Sequence, residues 1–187
     1  SKDFETCRRS FMWFGSGGLV HKGLDLVLEA FAQMPDFQLT VCGPVKEEED
    51  FVRAYAQELY HTRNIRTVGW VDVSSSAFTD ITRNCIGIIY PSCSEGGGGG
   101  VITCLHTGLI PVVSYETSVD MTDDMGIILS DCSIEEIQRA VQKIAAMPME
   151  ELRARARRVW EYARARHTRE TFATAYRSAV ELIRNGF

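Results

Sequence analysis

Short unbroken apolar runs alternate along this chain with stretches where apolar residues recur every three or four positions. Phe11-Met12-Trp13-Phe14-Gly15-Ser16 is such a run, and it predicts a buried strand entering a turn. From Gly23 to Met34, the residues Leu24, Val27, Leu28 and Phe31 fall on one helix face. Phe37 to Gly43 predicts a second strand, stopped by Gly43-Pro44. Glu47, Glu48, Glu49 and Asp50 then open a predicted helix running to about Tyr60, because carboxylates offset the positive end of a helix dipole.

The alternation continues. Ile65 to Gly69 predicts a third strand, Ser74 to Arg83 a helix, and Ile86 to Tyr90 a fourth strand ended by Pro91-Ser92. Glu95 and five glycines follow, then a short helix from Val101 to Thr107 closed by Gly108. Ile110 to Ser114 and Gly126 to Leu129 complete about six strands. Ser133 with Glu136 three residues later is a capping pattern for a helix. A helix from Met149 to about Arg166 carries the stripe Leu152, Ala156, Val159 and Ala163, and a last helix spans about Arg169 to Ile183. Fully apolar strands interleaved with helices imply an α/β fold, a Rossmann-like, doubly wound parallel sheet with extra C-terminal helices. Residues 1–9 read as a linker or the edge of a longer chain, and residues 10–187 as a single domain with no second domain beside it.

Composition narrows the function. Apolar residues are 45% and charged residues 24% of the 187, the balance of an ordinary globular protein, and no run is long enough to span a membrane. The six cysteines, at 7, 42, 85, 93, 104 and 132, form no C-x-x-C pair and read as reduced, mostly buried thiols in a cytoplasmic setting. No metal or cofactor is expected. A net charge of −5 argues against nucleic acid as the partner, so any phosphate must be met locally.

Ligands of doubly wound sheets sit beyond the C-terminal strand ends. Two loops there carry candidate chemistry. Gly15-Ser16-Gly17-Gly18 offers bare amides, and Lys22 stands just before a helix start, where a cation opposes the dipole unless an anion binds. A solvated lysine beside a tight turn fits the residues equally well. The second loop, Glu95 to Gly100, is costly to order, which points away from stability as its purpose. Glu95 is placed either to accept hydrogen bonds from sugar hydroxyls or to face water and cap the helix. Neither loop is a dinucleotide or P-loop fingerprint, and no acidic residue closes the second strand, so a Rossmann oxidoreductase is a poor fit.

Pro91-Ser92-Cys93-Ser94-Glu95-Gly96 followed by Gly108-Leu109-Ile110-Pro111-Val112-Val113 resembles the signature of family 4 retaining glycosyltransferases of the GT-B type, also called glycosyl transferases group 1. Gly15, Lys22-Gly23, Leu39 to Gly43 and Asn64 to Val71 fall into the same pattern, which covers about residues 10–185. The resemblance implies the C-terminal half of a GT-B fold, holding a nucleoside-diphosphate sugar and transferring the sugar, with retention, to a glycan or lipid hydroxyl in polysaccharide biosynthesis. The acceptor-binding N-terminal domain would then be a partner absent from this chain, and the isolated domain would be inactive. By the same resemblance Lys22 binds the diphosphate, Glu95 touches the transferred sugar, and these two form the catalytic pair. Donor contacts would come from Gly15, Ser16, Gly17, Gly18, Gly43, Trp70, Val71, Gly96, Gly97, Gly98, Gly99, Gly100, Val101 and Thr103.

Three departures from the pattern stand out. The family arginine is missing from the Ser16-Gly17-Gly18 stretch, Thr103 replaces the second glutamate, and Gly97 replaces a phenylalanine. They leave open an alternative: a degenerate, non-catalytic binding or scaffold module. Seven arginines between Arg153 and Arg169 read as a solvated helix, or as a patch for an anionic membrane surface or the missing domain.

Overall fold

A computed structural model describes residues 2–185. Its core is a six-stranded, all-parallel sheet in the order β3-β2-β1-β4-β5-β6. The strands are β1 (Ser10–Phe14), β2 (Gln38–Cys42), β3 (Ile65–Gly69), β4 (Gly87–Tyr90), β5 (Ile110–Ser114) and β6 (Ile127–Leu129). The central pair is buried on both faces: Phe11, Met12 and Trp13 of β1 and Ile88 and Ile89 of β4 are fully covered. That is why these strands read as unbroken apolar runs.

Helices complete both layers. In chain order they are α1 (Phe4–Cys7), α2 (Leu24–Ala32), α3 (Glu49–Ala54), α4 (Ala56–His61), α5 (Ser76–Arg83), α6 (Gly99–Leu105), α7 (Ile134–Ala146), α8 (Met149–Arg166) and α9 (Arg169–Asn185). The stripe Leu24, Val27, Leu28 and Phe31 of α2 is fully buried, as its spacing predicts, and α2 packs beside α4 and α7. On the other side α6 and α8 pack together over β5. The apolar stripe of α8, with Leu152, Val159 and Ala163, is buried.

Several expectations need correction. Residues 2–9 are packed onto the domain: Asp3 caps α1, Cys7 is buried, and the Lys2 amine donates to the Cys85 carbonyl at 2.7 Å. The helix expected from Glu47 to Tyr60 is a 3-10 turn at Val45–Glu47 and then two short helices, α3 and α4, broken at Tyr55. Glu48 stands at the N-cap of α3 without capping it, and its carboxylate binds a loop elsewhere, as described below. The helix after the glycines starts at Gly99, two residues earlier than expected. Ser133 caps α7 through the Glu136 amide, but Glu136 does not return the bond; its carboxylate takes the amides of Ser130, Asp131 and Cys132.

All six cysteines are free thiols, four of them buried. Burial pushes Cys42 and Cys85 up to about 12, so they stay protonated and inert. Among the described residues, no helix is long and apolar enough to cross a membrane, and no group of three His, Cys, Asp or Glu side chains is placed to hold a metal.

Candidate functional site

The strand order reverses between β1 and β4. Loops from the C-terminal ends of these two neighbours therefore flank one crevice, where ligands of such sheets bind. The loops are fastened to each other. The Cys93 amide donates to the His21 carbonyl at 2.9 Å, and the His21 ring meets the Ser94 carbonyl at 2.7 Å. Gly23, at φ +67, lies against the Pro91 carbonyl.

This seam brings Lys22 and Glu95 together although 73 residues separate them. The Lys22 Nζ stands 3.0 Å from Glu95 Oε1, and both side chains are mostly covered, 12% and 16% exposed. Tyr90 donates its hydroxyl to the same oxygen at 2.9 Å, and Ser92 does so at 3.1 Å. Burial alone would raise the Glu95 carboxyl. The hydrogen bonds from Lys22 and Tyr90, the Lys22 charge and the Ser92 bond outweigh it, holding the group below its ordinary range. The anion that a lysine at this position calls for is thus supplied by the chain itself.

Beneath the pair lies Trp13. Its ring stacks on Tyr90, centroids 6.0 Å apart, and its indole N–H donates to the Lys22 carbonyl at 3.1 Å. Gly15 and Gly43 pass directly over the indole: a Cβ at residue 15 would lie 2.6 Å from it, and one at residue 43 would lie 2.9 Å away. These two glycines shape the floor. Their amides are engaged by the Cys42 and Gly69 carbonyls.

The remaining candidates divide. Trp70 is 68% exposed at the end of β3, open to a flat partner, while Val71 beside it is buried. Gly96, Gly97 and Gly99 border open space, and among the described residues no hydrogen bond engages the amides of Gly96 or Gly97. Packing excludes a side chain at one of the five glycines and crowds a second. A Cβ on Gly98, at φ +56, would meet the Thr117 carbonyl at 2.7 Å, and one on Gly100 would approach the Phe14 carbonyl at 3.0 Å. The Val101 side chain is fully buried, so only its backbone can face a ligand.

Two candidates are not brought to the crevice as free groups. Thr103 donates its hydroxyl to the Gly99 carbonyl one turn back, at 2.8 Å. The Gly18 amide donates to Glu48 Oε1 at 2.5 Å, and the Leu19 amide to both oxygens of that carboxylate at 3.1 and 3.2 Å. The Glu48 carboxylate, expected to serve a helix start, braces the first glycine loop instead. Ser16 and Gly17 stay exposed beside it. The sequence pattern marks Tyr90 only as the end of a strand. A phenol on the last residue of the switch-point strand, next to Pro-Ser, was the signal available for it.

On its other side Glu95 lines an open cleft of about 560 Å³, together with Ser94, Tyr115, Glu116, Ser118 and Asp120.

A parallel sheet in this order, with a cation and a carboxylate converging at its switch point, defines the class of doubly wound ligand-binding domains. The pattern of the family described as glycosyl transferases group 1 matches residues 14–166, and the chain belongs to that family. No curated protein sequence matches it. Among solved structures, HepE of Anabaena, determined with UDP and glucose, is similar over 92% of this chain and 48% of its own, with a TM-score of 0.77 at 13% identity. WaaG, a glycosyltransferase involved in lipopolysaccharide biosynthesis, is similar over 94% of this chain and 46% of its own, with a TM-score of 0.67 at 16% identity. The catalytic domain of the Helicobacter pylori cholesterol-α-glucosyltransferase is similar over 85% of this chain and 98% of its own, at 0.65 and 14%. The fold is that of a GT-B-type glycosyltransferase domain, and the chain spans about half the length of HepE and WaaG.

Proposed function

We propose that this domain binds the donor of a retaining glycosyltransferase, a nucleoside-diphosphate sugar whose sugar passes to a hydroxyl on a glycan or lipid. The observation that carries the reading is the Lys22–Glu95 pair at 3.0 Å, held at the switch point between two glycine-rich loops. A diphosphate arriving there takes over Lys22, whose ammonium then stabilises the departing charge in place of a metal. Glu95, released from the lysine, accepts sugar hydroxyls. The free amides of Gly96 and Gly97 add donors on the phosphate side. Exposed Trp70 offers a face to the base.

The acceptor half would come from another domain, and without it this chain transfers nothing. Helix α9 supports such a partner. Phe172, Tyr176, Val180 and Ile183 form one stripe along it, all of them exposed. The six free thiols favour a reducing, cytoplasmic compartment. An anionic membrane is a weaker partner for the arginine tail. Arg155 pairs with Glu151, Arg157 with Glu161 and Arg158 with Asp124, while Arg153, Arg164 and Arg166 lie over aromatic rings.

A thermal-shift panel of UDP, GDP, ADP and CDP and their sugars tests the reading. A ligand at 100 times its Kd adds about 2.7 kcal/mol of apparent stability. No shift with any of them would remove the donor site.

The alternative, a binding module without turnover, draws on two observations. Glu48 already fills the amides of Gly18 and Leu19, and Thr103 is turned back on Gly99. Nucleotide binding without turnover in the full-length protein would decide for it.

A further inference from the structure

The three hydrogen bonds to the Glu95 side chain all end on one oxygen. Lys22, Tyr90 and Ser92 converge on Oε1, and among the described residues none reaches Oε2. Their fates differ once a diphosphate binds. Lys22 is the partner that phosphate competes for, so the donor state cannot rely on it. Tyr90 and Ser92 carry no charge that phosphate would draw away.

Tyr90 is also the better anchored of the two. It is 3% exposed, it ends a central strand, and its ring is stacked on fully buried Trp13. Ser92 divides its hydroxyl among Glu95 and the carbonyls of His21 and Ser94, at 3.1 to 3.4 Å. Burial, and then the bond to Glu95, push the Tyr90 phenol far above its ordinary range, so it remains a donor at any physiological pH.

We propose that Tyr90 is a positioning residue for the sugar: by fixing Glu95 Oε1 it holds the carboxylate in one orientation and leaves Oε2 to accept a hydroxyl of the bound sugar. This rests on the donor-site reading above. A carboxylate oriented before the ligand arrives loses no freedom at the moment of binding, and its hydrogen bond to the sugar is correspondingly stronger. Tyr90 itself touches no substrate.

Tyr90→Phe removes the hydroxyl and keeps the ring on Trp13. Two measurements on the 187-residue chain are combined. Carbon-detected NMR follows the titration of the Glu95 carboxyl, whose midpoint should rise in Tyr90→Phe because the charged form has lost a donor. Calorimetry compares a nucleoside diphosphate with its sugar conjugate, using the base selected by the thermal-shift panel. The expected result is a five- to tenfold loss for the sugar conjugate and less than twofold for the bare diphosphate. In a Glu95→Gln background Tyr90→Phe should cost less than twofold for either ligand. An unchanged Glu95 midpoint overturns the inference whatever the ligand does. A raised midpoint with equal losses for both ligands, or no loss for either, also overturns it. Failure of the wild-type chain to bind any sugar nucleotide is a separate outcome, seen before a variant is made, and it overturns the donor reading and the sugar role of Tyr90 together.

Discussion

A side chain on residue 23 would place its Cβ 2.4 Å from the carbonyl oxygen of Pro91, so the absence of one at Gly23 lets the two loops of the site close on each other. Gly23 also sits at φ +67, in left-handed backbone. Gly23→Ala therefore meets two penalties, left-handed strain of about 1 to 2 kcal/mol and overpacking of about 1 to 3 kcal/mol. Urea denaturation should show a loss of about 2 to 5 kcal/mol. A loss below about 0.5 kcal/mol, the range of neutral surface changes, would mean that the loops are not locked here.

Glu48 makes a second prediction. Its carboxylate bonds the amides of Gly18 and Leu19, 30 and 29 residues away in sequence. Glu48→Ala should lower stability by about 1.5 to 3 kcal/mol, the scale of hydrogen bonds to a charged group. Affinity for a nucleoside diphosphate should change less than twofold, because these amides serve the loop and not the ligand. A clear gain in affinity would show that the mutation had freed phosphate donors.

Acid gives a third. Folding holds the Glu95 carboxyl below its ordinary value of 4.5, so the folded state binds the proton less well than the unfolded chain. The stability this contributes is complete above pH 4.5 and is lost as pH falls through the lower folded value. Wild type should lose stability more steeply than Glu95→Gln below that point. Parallel slopes in the two proteins would mean that the Glu95 network adds nothing to the fold.

Much of this architecture was legible in the chain, and the reason is local. Ile110-Pro111-Val112-Val113-Ser114 is an apolar run bounded by turn signals, and it is β5 residue for residue. The Ser133 cap and the buried face of α2 likewise follow from neighbours within four positions. What was not legible depends on distant residues. Nothing near Glu48 in sequence tells that it reaches across to Gly18. Nothing near Lys22 tells that its counter-ion is Glu95, although the family pattern named both as ligands. Tyr55 ends α3 early while its hydroxyl donates to Glu29, on the neighbouring helix α2. Among the glycines, the sequence shows five alike. The structure separates Gly98, where packing excludes a side chain, and Gly100, where it crowds one, from Gly96, Gly97 and Gly99, which border open space.

Thr103 supplies a fourth prediction. Its hydroxyl is bonded to the Gly99 carbonyl, so the residue that stands where the family has a second glutamate is expected to add little to nucleotide binding. Thr103→Ala should change nucleotide affinity less than twofold by calorimetry. A loss of fivefold or more would show that the hydroxyl turns to the ligand in the bound state.

In the proposed site, Lys22 and Glu95 divide the donor between them, phosphate to the lysine and sugar to the carboxylate. Calorimetry of wild type, Lys22→Ala and Glu95→Gln, each with one nucleoside diphosphate and its sugar conjugate, reads that division directly. Lys22→Ala should weaken both ligands by about 1.5 to 3 kcal/mol, the scale of a charge-assisted hydrogen bond. Glu95→Gln should weaken the sugar conjugate and leave the bare diphosphate within twofold of wild type. Equal diphosphate affinity in wild type and Lys22→Ala, or equal losses of both ligands in Glu95→Gln, would contradict the assignment of this pair to phosphate and sugar.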